Sequence, residues 1–130
     1  VYQALAAGGS VAGQPHAGDK DLVLVKDSPT GTRLWTSELG TTRLERAYGV
    51  AIDPAGNVVV TGYTTGDFDG AHGGNLTDDV FVAKYSPAGA HLWSKGFGNA
   101  FPDGVGGIGV DGAGAVLVIG TLRGGVSMAP

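Results

Sequence analysis

The stretch GVGGIG, Gly104 to Gly109, fits G-x-G-x-x-G, in which glycines bring a backbone close to a pyrophosphate at the start of a helix. A second stretch, GDFDGAHGGNLTDD from Gly66 to Asp79, gathers Asp67, Asp69, His72, Asn75, Asp78 and Asp79. Oxygen ligands of this kind suit Ca2+, with Asp67 and Asp69 as candidate ligands. The run Asp67-x-Asp69-Gly70 lacks the further spaced acids and the bidentate Glu of an EF-hand loop. A solvated acidic loop is therefore the expectation, and no metal or cofactor is assigned. Asn75-Leu76-Thr77 meets the N-glycosylation pattern.

His16, His72 and His91 have no spacing that suits a zinc site or a base placed beside a nucleophile. With no Cys in the chain, thiolate catalysis, disulfides and Cys-ligated zinc are excluded. No catalytic residue is assigned, and the chain is expected not to be an enzyme. A net charge of -4 with only 8 Lys and Arg gives no basic stripe to neutralise phosphates, so nucleic acid is not an expected partner. No apolar run approaches the roughly 20 residues of a bilayer-spanning helix. The opening VYQALAAGGS has neither an initiator Met nor the charged-then-apolar design of a signal segment. We therefore expect the natural N-terminus to lie elsewhere.

What would position such groups is a repeat. DLVLVKDSPTGTRLWTSELG, Asp21 to Gly40, aligns with DVFVAKYSPAGAHLWSKGFG, Asp79 to Gly98, and Trp35 and Trp93 set the offset at 58 residues. The register continues without a gap from YGVAIDPAGNVVVTG, Tyr48 to Gly62, onto GGIGVDGAGAVLVIG, Gly106 to Gly120, and places Val1–Ala4 on Val59–Gly62. Four short strands fit each unit. DPAGN, SPTG and SPAG lie between them, with Pro presetting φ and Gly accepting the left-handed angle of a tight hairpin. Successive strands are thus expected to be antiparallel neighbours.

VVV at Val58–Val60, VFVA at Val80–Ala83 and LVLV at Leu22–Val25 are apolar at consecutive positions. Both faces of those strands must be covered. The closing strands, TRLWTSE and HLWSK, are mostly polar and suit the periphery. Gly49, Gly62, Gly107 and Gly120 sit inside strand patterns, where glycine marks a bulge or close backbone approach. No segment has a sustained helical period. The expectation is an all-β chain, a partial β-propeller of four-stranded antiparallel blades stacked face to face.

At these residues the chain resembles the bacterial β-propeller repeat family known as SBBP. Its units read approximately Gly-Val-Ala-Val-Asp-x-x-Gly-Asn-Val-Tyr-Val-Thr-Gly, then Asp-Ala-Phe-Val-Ala-Lys-Tyr and Leu-Trp. The last unit departs, with Gly112 for Pro54, Ala115 for Asn57 and Ile119 for Thr61. The resemblance implies repeats of large secreted or envelope-associated bacterial proteins, and it carries over no catalytic residue.

In this register GVGGIG overlies Arg46–Ala51, the entry to an inner strand. With no helix to follow, the dinucleotide match is expected to be accidental. Residues 1–46 are read as an incomplete blade lacking its innermost strand, 47–98 as a complete blade and 99–130 as the first two strands of another. That is about two and a quarter blades, where a closed ring takes 4 to 8. The partners expected are the remaining blades of a longer parent chain, or copies or other proteins that complete the ring.

Residues that return after 58 positions are read as architectural. Trp35 and Trp93 are expected to pack between blades, Asp53 and Asp111 to cap turns, and Lys26 and Lys84 to lay their stems over apolar surface. The functional expectation is a structural or protein-binding scaffold, outside the cell or on its envelope. The alternatives are a segment of a propeller enzyme acting on glycans or envelope polymers, and a Ca2+-stabilised adhesion module.

Overall fold

The computed structural model describes residues 1–7, 21–66, 78–98, 103–121 and Arg123. Among them are nine strands and no helix: β1 (Tyr2–Ala7), β2 (Asp21–Asp27), β3 (Arg33–Leu39), β4 (Glu45–Ile52), β5 (Val58–Thr64), β6 (Asp79–Tyr85), β7 (His91–Phe97), β8 (Gly104–Val110) and β9 (Val116–Thr121). They form three antiparallel sheets in the orders β1-β2-β3, β4-β5-β6-β7 and β8-β9. Chain order equals strand order in each, as hairpin connection dictates. The chain is a partial β-propeller of four-stranded antiparallel blades.

The turns form for the reasons their residues suggest. Gly31, Gly56, Gly89 and Gly114 all adopt positive φ between 82° and 87°, a conformation that costs glycine nothing. Each turn closes with a backbone bond, such as Gly56 N–H to the Asp53 carbonyl at 2.9 Å and Gly89 N–H to Ser86 at 3.0 Å.

The apolar runs are covered on both faces, as their patterns require. Leu22, Leu24, Val58, Val59, Val60, Phe81 and Ala83 are fully buried. The core lies in the middle strands and between sheets, where β1 packs against β4 and β8 lies against β4 and β5. β7 is exposed at most positions, in keeping with a peripheral strand. The inner strand β4 differs: burial alternates along it, and Tyr48, Val50 and Ile52 face outward.

Two interior glycines show what a side chain would disturb. Tyr48 is the extra residue of a bulge between Ala47 and Gly49. Across from it, a Cβ on Gly62 would strike the Arg46 carbonyl oxygen, so β4 and β5 approach more closely than any other residue would permit. The bulge recurs between Val105 and Gly107, with Gly120 against the Gly104 carbonyl. GVGGIG is thus the body of β8, a strand paired to β9.

Candidate functional site

Asp67 and Asp69, together with His16, His72 and Asn75, lie outside the described residues. Among the described residues no group of three or more His, Asp or Glu is placed to hold a metal ion. His91 is exposed on β7 and meets the Tyr85 ring edge-on, with centroids 5.4 Å apart.

The repeated aspartates brace turns. Asp53 Oδ1 accepts the backbone N–H groups of Ala55 and Asn57 at 2.9 and 2.8 Å, and Oδ2 accepts Asn57 Nδ2 at 2.7 Å. Lys84 Nζ lies 2.8 Å from the same Oδ2. The Lys84 bond, reinforced by Asn57, holds the Asp53 carboxyl well below its ordinary range. Asp111 repeats the two backbone bonds, from Ala113 at 2.9 Å and Ala115 at 2.8 Å. A carboxylate engaged in this way is held by the turn and is badly placed to act as a base.

The remaining polar groups concentrate at the joints between blades. Trp35 on β3 donates its indole N–H to the Pro87 carbonyl of the next sheet at 3.0 Å, and its ring lies against Gly89, where a Cβ would stand 2.8 Å from Cδ2. Lys26 reaches the same carbonyl at 3.4 Å, with its ammonium 5.2 Å from the centre of the Tyr2 ring. At the second joint the Tyr63 hydroxyl accepts from Val105 N–H at 3.0 Å and donates to the Val105 carbonyl at 3.2 Å. Asp103 N–H donates to the Asp78 carbonyl at 2.8 Å.

Acids bury themselves at these joints, a feature that sequence reasoning missed. Glu45 is fully buried at the start of β4 and accepts from Thr41 N–H at 3.0 Å, Thr41 Oγ1 at 2.6 Å and Thr64 Oγ1 at 2.9 Å. Burial raises its pKa above the ordinary carboxyl value, and the Asp21 carboxylate of the preceding sheet pushes the same way. Asp103, one repeat later, is also buried and accepts from Arg123 N–H at 3.0 Å. Asp21 and Asp79 are equally buried, and a Cβ on Gly40 or Gly98 would collide with their carboxyl groups. The available signal was the return of an acid at both positions after 58 residues.

Trp93 departs from the expectation of packing between blades. It is 37% exposed, beside Leu92 at 50%. Among the described residues the sheet that follows consists of β8 and β9. The outer part of that sheet is equally bare. Leu117 and Ile119 are 57% and 70% exposed, whereas Val59 and Thr61 at the same positions of the central blade are fully buried.

Residues 34–69 match the SBBP β-propeller repeat. An uncharacterized WD repeat-containing protein of Acanthamoeba polyphaga mimivirus is 34% identical over 96 residues. The match takes in 66% of this chain and 7% of that protein's length.

Proposed function

We propose that this chain, whose residues 34–69 match the SBBP β-propeller repeat, works as a protein-interaction scaffold whose blade faces and loops bind other proteins. One observation carries the reading: the described polar groups that recur are consumed by turns and joints, while Leu92, Trp93, Leu117 and Ile119 stand exposed. Turn-bound aspartates leave little reactive chemistry, and exposed apolar side chains favour contact with protein. Further blades of the parent protein and separate partner proteins are the binding classes that fit. An extracellular or envelope location belongs to the proposal and rests on the SBBP resemblance alone.

The test is affinity capture followed by titration of each recovered protein against the parent chain and a Leu92→Ser/Trp93→Ala variant. Saturable binding that the variant loses supports the scaffold. Undiminished binding by the variant, or turnover of glycans or envelope polymers by the chain itself, overturns it.

A further inference from the structure

Three side chains of the central blade break the repeat at one spot. In the 58-residue register Arg46, Tyr48 and Tyr63 stand where the next sheet has Gly104, Gly106 and Thr121. The strand pairing bears the register out: the bulges at Ala47–Gly49 and Val105–Gly107 coincide, and Arg46 opposes Tyr63 as Gly104 opposes Thr121. The backbone returns and the side chains do not, so the fold needs the bulge without needing what it carries.

Arg46 and Tyr63 are cross-strand partners, which puts their side chains on one face of the sheet. Tyr48, the extra residue of the bulge, is turned onto that face as well, its ring edge-on to Tyr63 with centroids 6.2 Å apart and planes at 83°. Re-aiming a side chain is what a bulge does. Tyr63 is itself anchored, since its hydroxyl accepts from Val105 N–H and donates to the Val105 carbonyl. The two rings therefore form a preset ledge.

β1 packs on β4 from one side and β8 from the other, yet Tyr48 stays 54% exposed between them. Arg46 is exposed too, and its guanidinium makes no hydrogen bond or ion pair with a described residue. Its neighbour Glu45 is buried and bonded to Thr41 and Thr64, so it does not neutralise that charge.

Aromatic-lined ledges of this kind take the proline rings of extended segments, whose stiffness keeps the entropy cost of binding low. The guanidinium fork matches a carboxylate, and tyrosine and arginine are side chains on which protein contacts concentrate their binding energy. We propose that Arg46, Tyr48 and Tyr63 form a docking point for an extended, acidic, proline-bearing segment of a partner protein. A proline of that segment packs on Tyr48, and its carboxylate meets Arg46. Gly104, Gly106 and Thr121 offer neither ring nor cation, so the β8–β9 sheet holds no second copy. The inference rests on the scaffold reading and deepens it by naming the partner's chemistry at a place distinct from Leu92 and Trp93.

Calorimetric titration of the parent chain with the peptide acetyl-Pro-Pro-Glu-Pro-Pro-Glu-Pro-Pro-amide tests it, beside the same peptide with Gln for Glu and an oligogalacturonate. Arg46 and Tyr48 are exposed, so Arg46→Gln and Tyr48→Ala keep the fold, as β-sheet circular dichroism would verify. The acidic peptide should bind saturably, and each variant should weaken it about tenfold or more. The Gln peptide should bind the wild type as weakly as the acidic one binds Arg46→Gln, and the Gln exchange should cost that variant nothing further. No saturation by the acidic peptide, undiminished binding by the variants, or tighter binding of the oligogalacturonate overturns the docking point. Proteins captured through Leu92 and Trp93 that an Arg46→Gln/Tyr48→Ala variant binds as well as the wild type overturn it and leave the scaffold standing. A chain that binds neither peptide nor any captured protein removes both.

Discussion

The indole N–H of Trp35 and the carbonyl oxygen of Pro87 meet at 3.0 Å across the boundary between two sheets. The bond fixes β3 of one blade to the β6–β7 turn of the next, and the ring covers Gly89. Removing the indole deletes partly buried apolar area and leaves Pro87 its water-facing alternatives. Trp35→Ala should therefore cost about 2–3 kcal/mol, the low end for a large aromatic. Trp93→Ala in monomeric chains should cost under about 1 kcal/mol, since exposed positions give little. Urea unfolding of both variants checks the contrast, and equal losses would contradict it.

Close backbone approach makes a sharper demand at Gly62. Gly62→Ala drives a methyl group into the Arg46 carbonyl oxygen, and the strands must separate or the bulge must shift. Destabilisation of about 3 kcal/mol or more is expected. Gly109→Ala on β8 meets nothing within 4 Å and should change stability by no more than about 0.5 kcal/mol. Paired melting curves decide between them.

Glu45 makes stability depend on pH in an unusual direction for a carboxylate. Burial raises its pKa in the folded state above the ordinary 4.5, so the folded chain holds the proton more tightly than the unfolded chain. Its contribution is present below the unfolded value and is lost as pH rises through the folded one. Glu45→Gln should gain on the wild type from about pH 4.5 upward, with the gap in melting temperature widening as pH increases. A gap independent of pH would refute the linkage.

Asp53 works the opposite way. The Lys84 bond, together with Asn57, lowers its pKa, so its contribution is present above the unfolded value near 3.8 and fades as pH falls below it. Asp53→Asn should melt below the wild type at pH 7 and approach it in acid. A deficit that persists unchanged in acid would point to lost turn bonds alone.

Calcium should leave the chain unmoved. Asp67-x-Asp69-Gly70 lacks the donors of a full oxygen cage, so millimolar Ca2+ is expected to give neither binding heat nor a rise in melting temperature. A saturable heat with a raised melting point would establish a site within residues 66–79.

Much of the fold was legible because its period is written in bulky and constrained residues. Trp35 and Trp93 set the repeat, Ser-Pro-x-Gly marked the hairpins, and the consecutive valines of β5 required cover on both faces. The glycines in β4 and β5 announced a close approach, although the bulge at Tyr48 needed three dimensions. The acids at the joints stayed hidden because Glu45 and Asp103 differ in type and look like polar strand starts. Their side-chain partners lie elsewhere in the same unit, Thr41 and Thr64 for Glu45 and Arg123 for Asp103, and one strand's pattern carries no trace of them. Trp93 is 37% exposed where Trp35 lies on the Pro87–Gly89 turn of the next sheet, so equivalence in the repeat does not carry equal burial with it.

Blade-on-blade stacking is tested most directly by nuclear Overhauser contacts from the Trp35 indole. Strong cross-peaks from its ring protons to the α-protons of Gly89 are expected, because the ring carbons lie against that backbone. A folded chain whose Trp35 ring shows contacts within the β1–β3 sheet alone would contradict the arrangement.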